Sequence, residues 1–261
     1  MKFFWSLCFY FVLSFFSLYG SAEYAQTPLI SIITSVYKGD KYIQGFMDDI
    51  VAQTIFDKCE LIIINAASPG KEEKVIKKFL KRFKNIIYLK LETDPGLYAV
   101  WNLAIAMARA PYITNANLDD RLARNCYEIH LAAIESNPHI DLVYSDCYVT
   151  RKVNETFENN SAHTVLSRPE FSKEALKKSC LPNNHPMWRK SMHQKYGYFD
   201  ETFKIAGDWD MWLRSVKAGS IFLKIPQILS LYYENPLGLS SDQNGNWKVE
   251  FDRVYNTYKR I

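Results

Sequence analysis

These 261 residues contain no zinc-type cysteine spacing, no strong excess of charge of either sign and no internal repeat. The five cysteines (Cys8, Cys59, Cys126, Cys147, Cys180) include no CxxC pair, which excludes an ordinary structural zinc site. Scattered buried thiols are the expected outcome, and a disulfide would require an exported domain. The formal charge of +4 is spread along the chain. That is too mild for nucleic acid as a partner. The one basic cluster (Lys71, Lys74, Lys77, Lys78, Lys81) falls at helical period and reads as a solvated helix face, with an anionic membrane surface as the alternative.

What is present is apolar content. Hydrophobic residues make up 48% of the chain, and its length suits one large α/β domain or two small ones. Residues 3–19 carry no charge and are rich in Phe and Leu; Lys2 precedes them, and Gly20-Ser21-Ala22 follows. At about 17 residues this stretch lies between a signal-peptide core and a spanning helix. A cleaved signal and an uncleaved anchor fit it equally. Either one makes the chain membrane-associated or exported, with the side of the membrane undecided. Three segments follow: a leader over 1–26, a main domain over 27–245, and a helix or tail over 246–261.

Beyond the leader, strand and helix patterns alternate. Residues 29–36, 61–64, 86–91, 112–114 and 141–144 are short β-branched apolar runs of the kind found in buried strands. Helical spacing recurs over 42–51, 75–83 and 98–108. A helix is expected over 121–136 and another over 209–217. This alternation predicts a Rossmann-like, mainly parallel sheet flanked by helices, with ligands beyond the carboxyl ends of the strands. The polar stretch 152–173 reads as a loop or flap. It carries two formal glycosylation sequons, Asn154-Glu155-Thr156 and Asn159-Asn160-Ser161, relevant only in a eukaryotic secretory route.

Four places near expected strand ends carry chemistry: Thr34-Ser35-Val36-Tyr37, Asn65-Ala66-Ala67-Ser68, Asn117-Leu118-Asp119-Asp120 and Gly207-Asp208-Trp209-Asp210. Adjacent carboxylates at a strand end are costly unless paired, solvated or bound to a cation. Asp119 and Asp120 suit a hard divalent ion whose shell is completed by diphosphate oxygens. The competing reading makes them the cap and first-turn acid of the helix over 121–136. Asp208 has the same competitor, as N-cap of the helix over 209–217.

Taken in order, these places resemble an inverting family-2 glycosyltransferase of the GT-A fold, from about Leu29 to about Ser241. Further motifs carry the likeness: Asp94-Pro95-Gly96-Leu97-Tyr98-Ala99-Val100-Trp101-Asn102, Lys195-Tyr196-Gly197-Tyr198-Phe199-Asp200-Glu201, and Ala206 through Arg214. The resemblance implies a nucleotide-sugar donor, UDP-linked by expectation, a divalent cation (Mn2+ or Mg2+), and a glycan, lipid or protein acceptor. Thr34, Val36 and Tyr37 would line the nucleotide pocket, with Asn65 against the base and Asp94 near ribose or base. Asn117 belongs to the same donor side. Asp119 and Asp120 would hold the ion, and Asp208 would be the general base. Arg214 would brace the Asp208 helix, and His185 would either face the acceptor or serve structure.

The chain departs from the family pattern at three positions. Asn65-Ala66 stands where two acids are usual, Ala99 where an acid is common, and Gly207 where an acid precedes the catalytic Asp. Asparagine can still accept a bond from uracil N3–H. These departures leave open a weak or inactive nucleotide-sugar- or glycan-binding module on the same fold. A nucleotidyltransferase would want a glycine-rich phosphate loop after the first strand. Val36-Tyr37-Lys38-Gly39-Asp40 does not supply one.

Overall fold

The computed structural model describes residues 27–182, 184–241 and 246–260. The leader lies outside these residues. No helix among the described residues is long and apolar enough to cross a membrane.

Among the described residues nine strands form one sheet: β1 Ile30–Val36, β2 Cys59–Asn65, β3 Ile86–Lys90, β4 Tyr112–Asn115, β5 Arg121–Leu122, β6 Leu142–Thr150, β7 Thr164–Leu166, β8 Met187–Arg189 and β9 Phe222–Tyr233. Their order is β3-β2-β1-β4-β8-β6-β9-β5, with β7 on β6. The first four are parallel neighbours; β8 runs antiparallel between β4 and β6, and β6 pairs β9 in parallel. The sheet is therefore mixed and mostly parallel, as the alternating pattern predicts.

β1 and β2 are apolar without alternation because both faces are covered. Ile30, Ile32, Leu61 and Ile63 pack beneath α1 (Ile43–Val51), α2 (Glu72–Leu80) and α4 (Cys126–Glu135). Ile33, Ile62 and Ile64 pack against the opposite layer. That layer comprises α3 (Leu97–Met107), α5 (Lys173–Lys178), α6 (Ser191–Tyr196), α7 (Gly207–Lys217) and α8 (Asn246–Tyr258).

Two expectations change. The helix expected over 121–136 starts only at Cys126, and Arg121–Leu122 is instead a strand paired with Leu231 and Ser230 of β9. The cause is tertiary. Arg121 is 3% exposed, and its guanidinium donates to the carbonyls of Leu118 (3.0 Å) and Asp120 (2.5 Å). An extended backbone puts that fork behind the preceding turn. The segment 152–173 is only partly irregular. It contains β7, and Asn154 within it accepts from Arg121 Nη2 (3.1 Å) and donates to Lys41 O (2.8 Å).

Candidate active site

The parallel register sets one end of the sheet as the working edge. Val36 pairs with Asn65, and Asn65 with Lys90, so three strand ends lie in a row. β4 ends beside them, since the Ala116 N–H donates to Ile33 O at 2.9 Å. The chain then turns into Asn117-Leu118-Asp119-Asp120.

The two acids of that turn have different surroundings. Asp120 is 3% exposed. Its Oδ1 accepts from the Tyr233 N–H (2.9 Å), and its Oδ2 accepts from the Asn117 and Asn184 amides (2.9 Å each), with His185 Nε2 at 3.4 Å. His185 is held in turn by its Nδ1 contact to Asn115 O at 3.0 Å, with φ +66. Asp119 is half-buried, and its one side-chain partner among the described residues is the Asn235 amide, at 2.8 Å on Oδ2. Burial, and then the neighbouring Asp120 charge, hold the Asp119 carboxyl above the usual range. Neither acid caps a helix: α4 begins later, behind Asn125.

At the other station, α7 begins at Gly207 with Ala206 as N-cap and no side-chain cap on that residue. Asp208 is therefore the second helical residue and not the cap. The turn leading into α7 is held from α8, where Glu250 accepts the N–H groups of Lys204 (2.9 Å), Ile205 (2.8 Å) and Ala206 (2.9 Å). Asp208 Oδ1 accepts from the Trp209 N–H at 2.8 Å and lies 3.3 Å from the Tyr98 hydroxyl; Oδ2 has Cys180 Sγ at 3.6 Å. Burial raises the Asp208 carboxyl, and the Trp209, Cys180 and Tyr98 bonds oppose that rise. Arg214 ties α7 to the Tyr196 and Tyr198 carbonyls, so it does brace the Asp208 helix.

The remaining expected residues divide. Val36 is fully buried in the core, and Thr34 is 1% exposed, so their side chains do not line an open pocket. Tyr37 is 45% exposed at the edge. Asn65 is 2% exposed, with Oδ1 accepting from the Ser68 N–H of its own turn at 2.7 Å. Asp94 is exposed and closes a turn onto the Gly96 N–H at 2.9 Å. Beside Asn65, a cleft of about 520 Å³ is lined by Ala67, Ser68, Lys90, Leu91 and Glu92. Sequence reading missed this cleft, because Lys90 and Glu92 look like ordinary surface charges. It also missed Glu72, fully buried, whose Oε1 accepts from the Gly39 N–H (2.6 Å) and Ser68 Oγ (2.7 Å). That carboxylate locks the β1 and β2 turns together. Asn184, Asn235 and Glu250 were missed because their partners are remote in sequence.

Among the described residues, no group of three or more His, Cys, Asp or Glu is arranged to hold a metal by itself. The donor set is instead one partly open carboxylate beside a saturated one, which fits a hard ion whose other ligands come from diphosphate and water.

Residues 31–202 match the family described as Glycosyl transferase family 2. The uncharacterized glycosyltransferase MJ1057 of Methanocaldococcus jannaschii is 28% identical over 78% of this chain and 70% of its own length. Among solved structures, S. aureus TarS 1-349 in complex with UDP-GlcNAc superimposes with a TM-score of 0.70 at 15% identity, covering 88% of this chain and 66% of that one. The mannosyltransferase PcManGT from Pyrobaculum calidifontis, in complex with GDP-Man and Mn2+, gives a TM-score of 0.62 at 13% identity over 82% of this chain and 59% of that one. The chain thus spans 59–70% of the length of these proteins, and the structural likenesses establish the GT-A fold.

Proposed function

The chain belongs to glycosyl transferase family 2, and from that premise we propose that it moves a sugar from a nucleotide-sugar donor, UDP-linked by preference, to a hydroxyl acceptor with inversion and with a divalent ion. The observation carrying this reading is that Asp119, in the turn after β4, and Asp208, on the first turn of α7 beside Tyr98, are both half-buried residues whose carboxyls are raised above the usual range by burial. A raised carboxyl is a better proton acceptor than a solvated one, as general-base work requires.

In this scheme Asp208 accepts the acceptor's hydroxyl proton through Oδ2, whose partner among the described residues is the Cys180 thiol at 3.6 Å. The acceptor oxygen forms its bond to the anomeric carbon as the bond to the diphosphate breaks, and the electron pair leaves with the nucleoside diphosphate. Attack on the face opposite the leaving group inverts the centre. Asp119 would ligate the ion, and Asp120, held by four neighbours, would fix the turn that presents it. When bound, the ion supplies neutralisation of charge on the leaving diphosphate. The PcManGT complex with Mn2+ supports that assignment by analogy. Donor nucleotide would lie along Tyr37, Asn65, Asp94 and the cleft at Lys90. The leader would carry the domain to a membrane; fractionation that finds the full chain soluble and uncleaved would end that part of the proposal.

The test is a donor-turnover screen over UDP- and GDP-sugars with Mn2+ or Mg2+, run on wild type and Asp208→Asn. Asparagine has almost no proton affinity at neutral pH. Transfer should fall at least about a hundredfold while nucleotide affinity holds. Transfer by Asp208→Asn at the wild-type rate would remove Asp208 from the mechanism. Equal nucleotide binding by both proteins, with no turnover of any donor by either, would make the chain a binding module.

A further inference from the structure

Gly207 stands where an acid usually precedes the general base, and its surroundings account for the exchange. A Cβ built on Gly207 would lie 2.6, 2.8 and 2.9 Å from three atoms of the Tyr98 ring. No other residue type fits unless that ring moves. Tyr98 is 2% exposed on the first turn of α3 and packs against Trp101 and Phe199. Its hydroxyl sits between two acceptors, Ile205 O at 2.7 Å and Asp208 Oδ1 at 3.3 Å.

We propose that Tyr98 is a positioning residue for the Asp208 carboxylate, and that Gly207 is the vacancy that lets the ring reach it. The proposal rests on the general-base reading of Asp208 and adds how that base is tuned. A phenol has one proton, so it serves one acceptor fully at a time. While Asp208 is charged, the hydroxyl turns to Oδ1 and stabilises the basic form. Once Asp208 has taken the acceptor's proton, the hydroxyl falls back on the Ile205 carbonyl. Tyr98 itself stays protonated, because burial and the Asp208 charge push its own ionisation well above the ordinary phenol range. The bond also joins the donor-side turn at Asp94–Gly96 to the base, since α3 begins directly after that turn.

Other ionisable groups bear on the same carboxyl. Cys180 faces Oδ2 from the segment after α5, with Arg168 acting on that thiol. Asp210 and Arg214 lie further along α7, and Glu250 of α8 brackets the turn before it. Tyr98→Phe leaves all of these in place and keeps the ring packing.

The experiment is a carboxyl-13C NMR titration of the full chain labelled at aspartate, with the Asp208 signal assigned by its loss in Asp208→Asn. Removing a donor from the charged form should raise the Asp208 pKa in Tyr98→Phe by roughly 0.5–1 unit, while loss of the hydroxyl's bond to Ile205 O lowers the melting temperature by a few degrees without unfolding the chain. The acid limb of the transfer rate should move up in pH by the same amount. Gly207→Ala should give the same direction by displacing the ring, and should add nothing in the Tyr98→Phe background. An Asp208 pKa that stays put or falls in Tyr98→Phe overturns the proposal, and one that stays put in Gly207→Ala overturns the vacancy. Failure of the underlying reading shows separately, as undiminished transfer by Asp208→Asn. That result would take this inference's bearing on catalysis down with it, whereas an unmoved titration beside an inactive Asp208→Asn overturns the inference alone.

Discussion

Asp120 accepts from Tyr233, Asn117 and Asn184 and has His185 beside it, while Asp119 next door has Asn235. Substitution should separate the two roles. Asp120→Asn puts an amide donor among three donors, and an unsatisfied buried group costs about 1–3 kcal/mol. At roughly 2–4 °C per kcal/mol for a chain of this size, its melting temperature should fall visibly. Asp119→Asn should melt within about 2 °C of wild type yet lose the Mn2+-dependent part of its UDP affinity by calorimetric titration. Equal melting losses, or a persistent Mn2+ effect in Asp119→Asn, would sink this division of labour. The pair itself was legible in the sequence, because adjacent acids at a strand end demand a reason. Which of them is saturated was not legible. Asp120's partners Asn184 and Tyr233 lie 64 and 113 residues away, and only the fold brings them in. The same holds for Asn65. The family resemblance set it against the base, but its carbonyl accepts from the Ser68 N–H.

At the scale of elements, α7 presents the candidate base, and α8 holds α7. Glu250 accepts three successive N–H groups, those of Lys204, Ile205 and Ala206, in the turn that leads into α7, and Tyr258 of α8 donates to Asp210 Oδ1 at 3.0 Å. Bonds to a charged acceptor are stronger than neutral ones, and a carboxylate at a helix N-terminus also meets the favourable end of the dipole. Glu250→Ala should therefore cost about 1–3 kcal/mol and lower transfer, because the turn carrying Asp208 loosens. Glu250→Gln, which keeps an acceptor oxygen, should recover part of both. Chemical denaturation read beside the transfer rate checks this, and Glu250→Ala matching wild type in both would remove α8 from the site. None of this bracing could be read from sequence. The Asp208 type and position satisfied the N-cap rule so well that a carboxylate 42 residues further on, holding the turn before the helix, had no reason to be sought. Strands β1 to β4 were legible because a strand covered on both faces is a continuous apolar run. The two-residue β5 was not, because Arg121 obeys its buried carbonyl partners and not its helix propensity.

For the molecule as a whole, three buried groups give stability a pH dependence with opposing signs. His193 accepts from Trp188 Nε1 at 2.9 Å, so its Nε2 must be unprotonated; burial lowers its pKa to about 4. His130 is lowered to about 3 by burial. Both fold neutral, whereas an unfolded histidine titrates near 6.5, so their stabilisation is full above about pH 6.5 and drains away as pH falls toward those values. Asp49 works the other way. Burial raises it to about 7 despite the neighbouring Arg121, so its contribution is full below about pH 4 and is lost as pH rises through 7. The raised Asp119 and Asp208 act in the same direction as Asp49, so it is the two histidines that carry the acid-side loss of stability. Between pH 7 and pH 5, His193 alone should account for roughly 2 kcal/mol. Urea midpoints at pH 7.5, 6 and 5 measure the slope. His193→Gln offers Trp188 an amide oxygen and does not titrate, so it should flatten the curve. Asp49→Asn removes a compensating group and should steepen it. A His193→Gln midpoint that falls with pH as steeply as wild type would show that the buried Trp188–His193 pair does not set the acid limit of the fold.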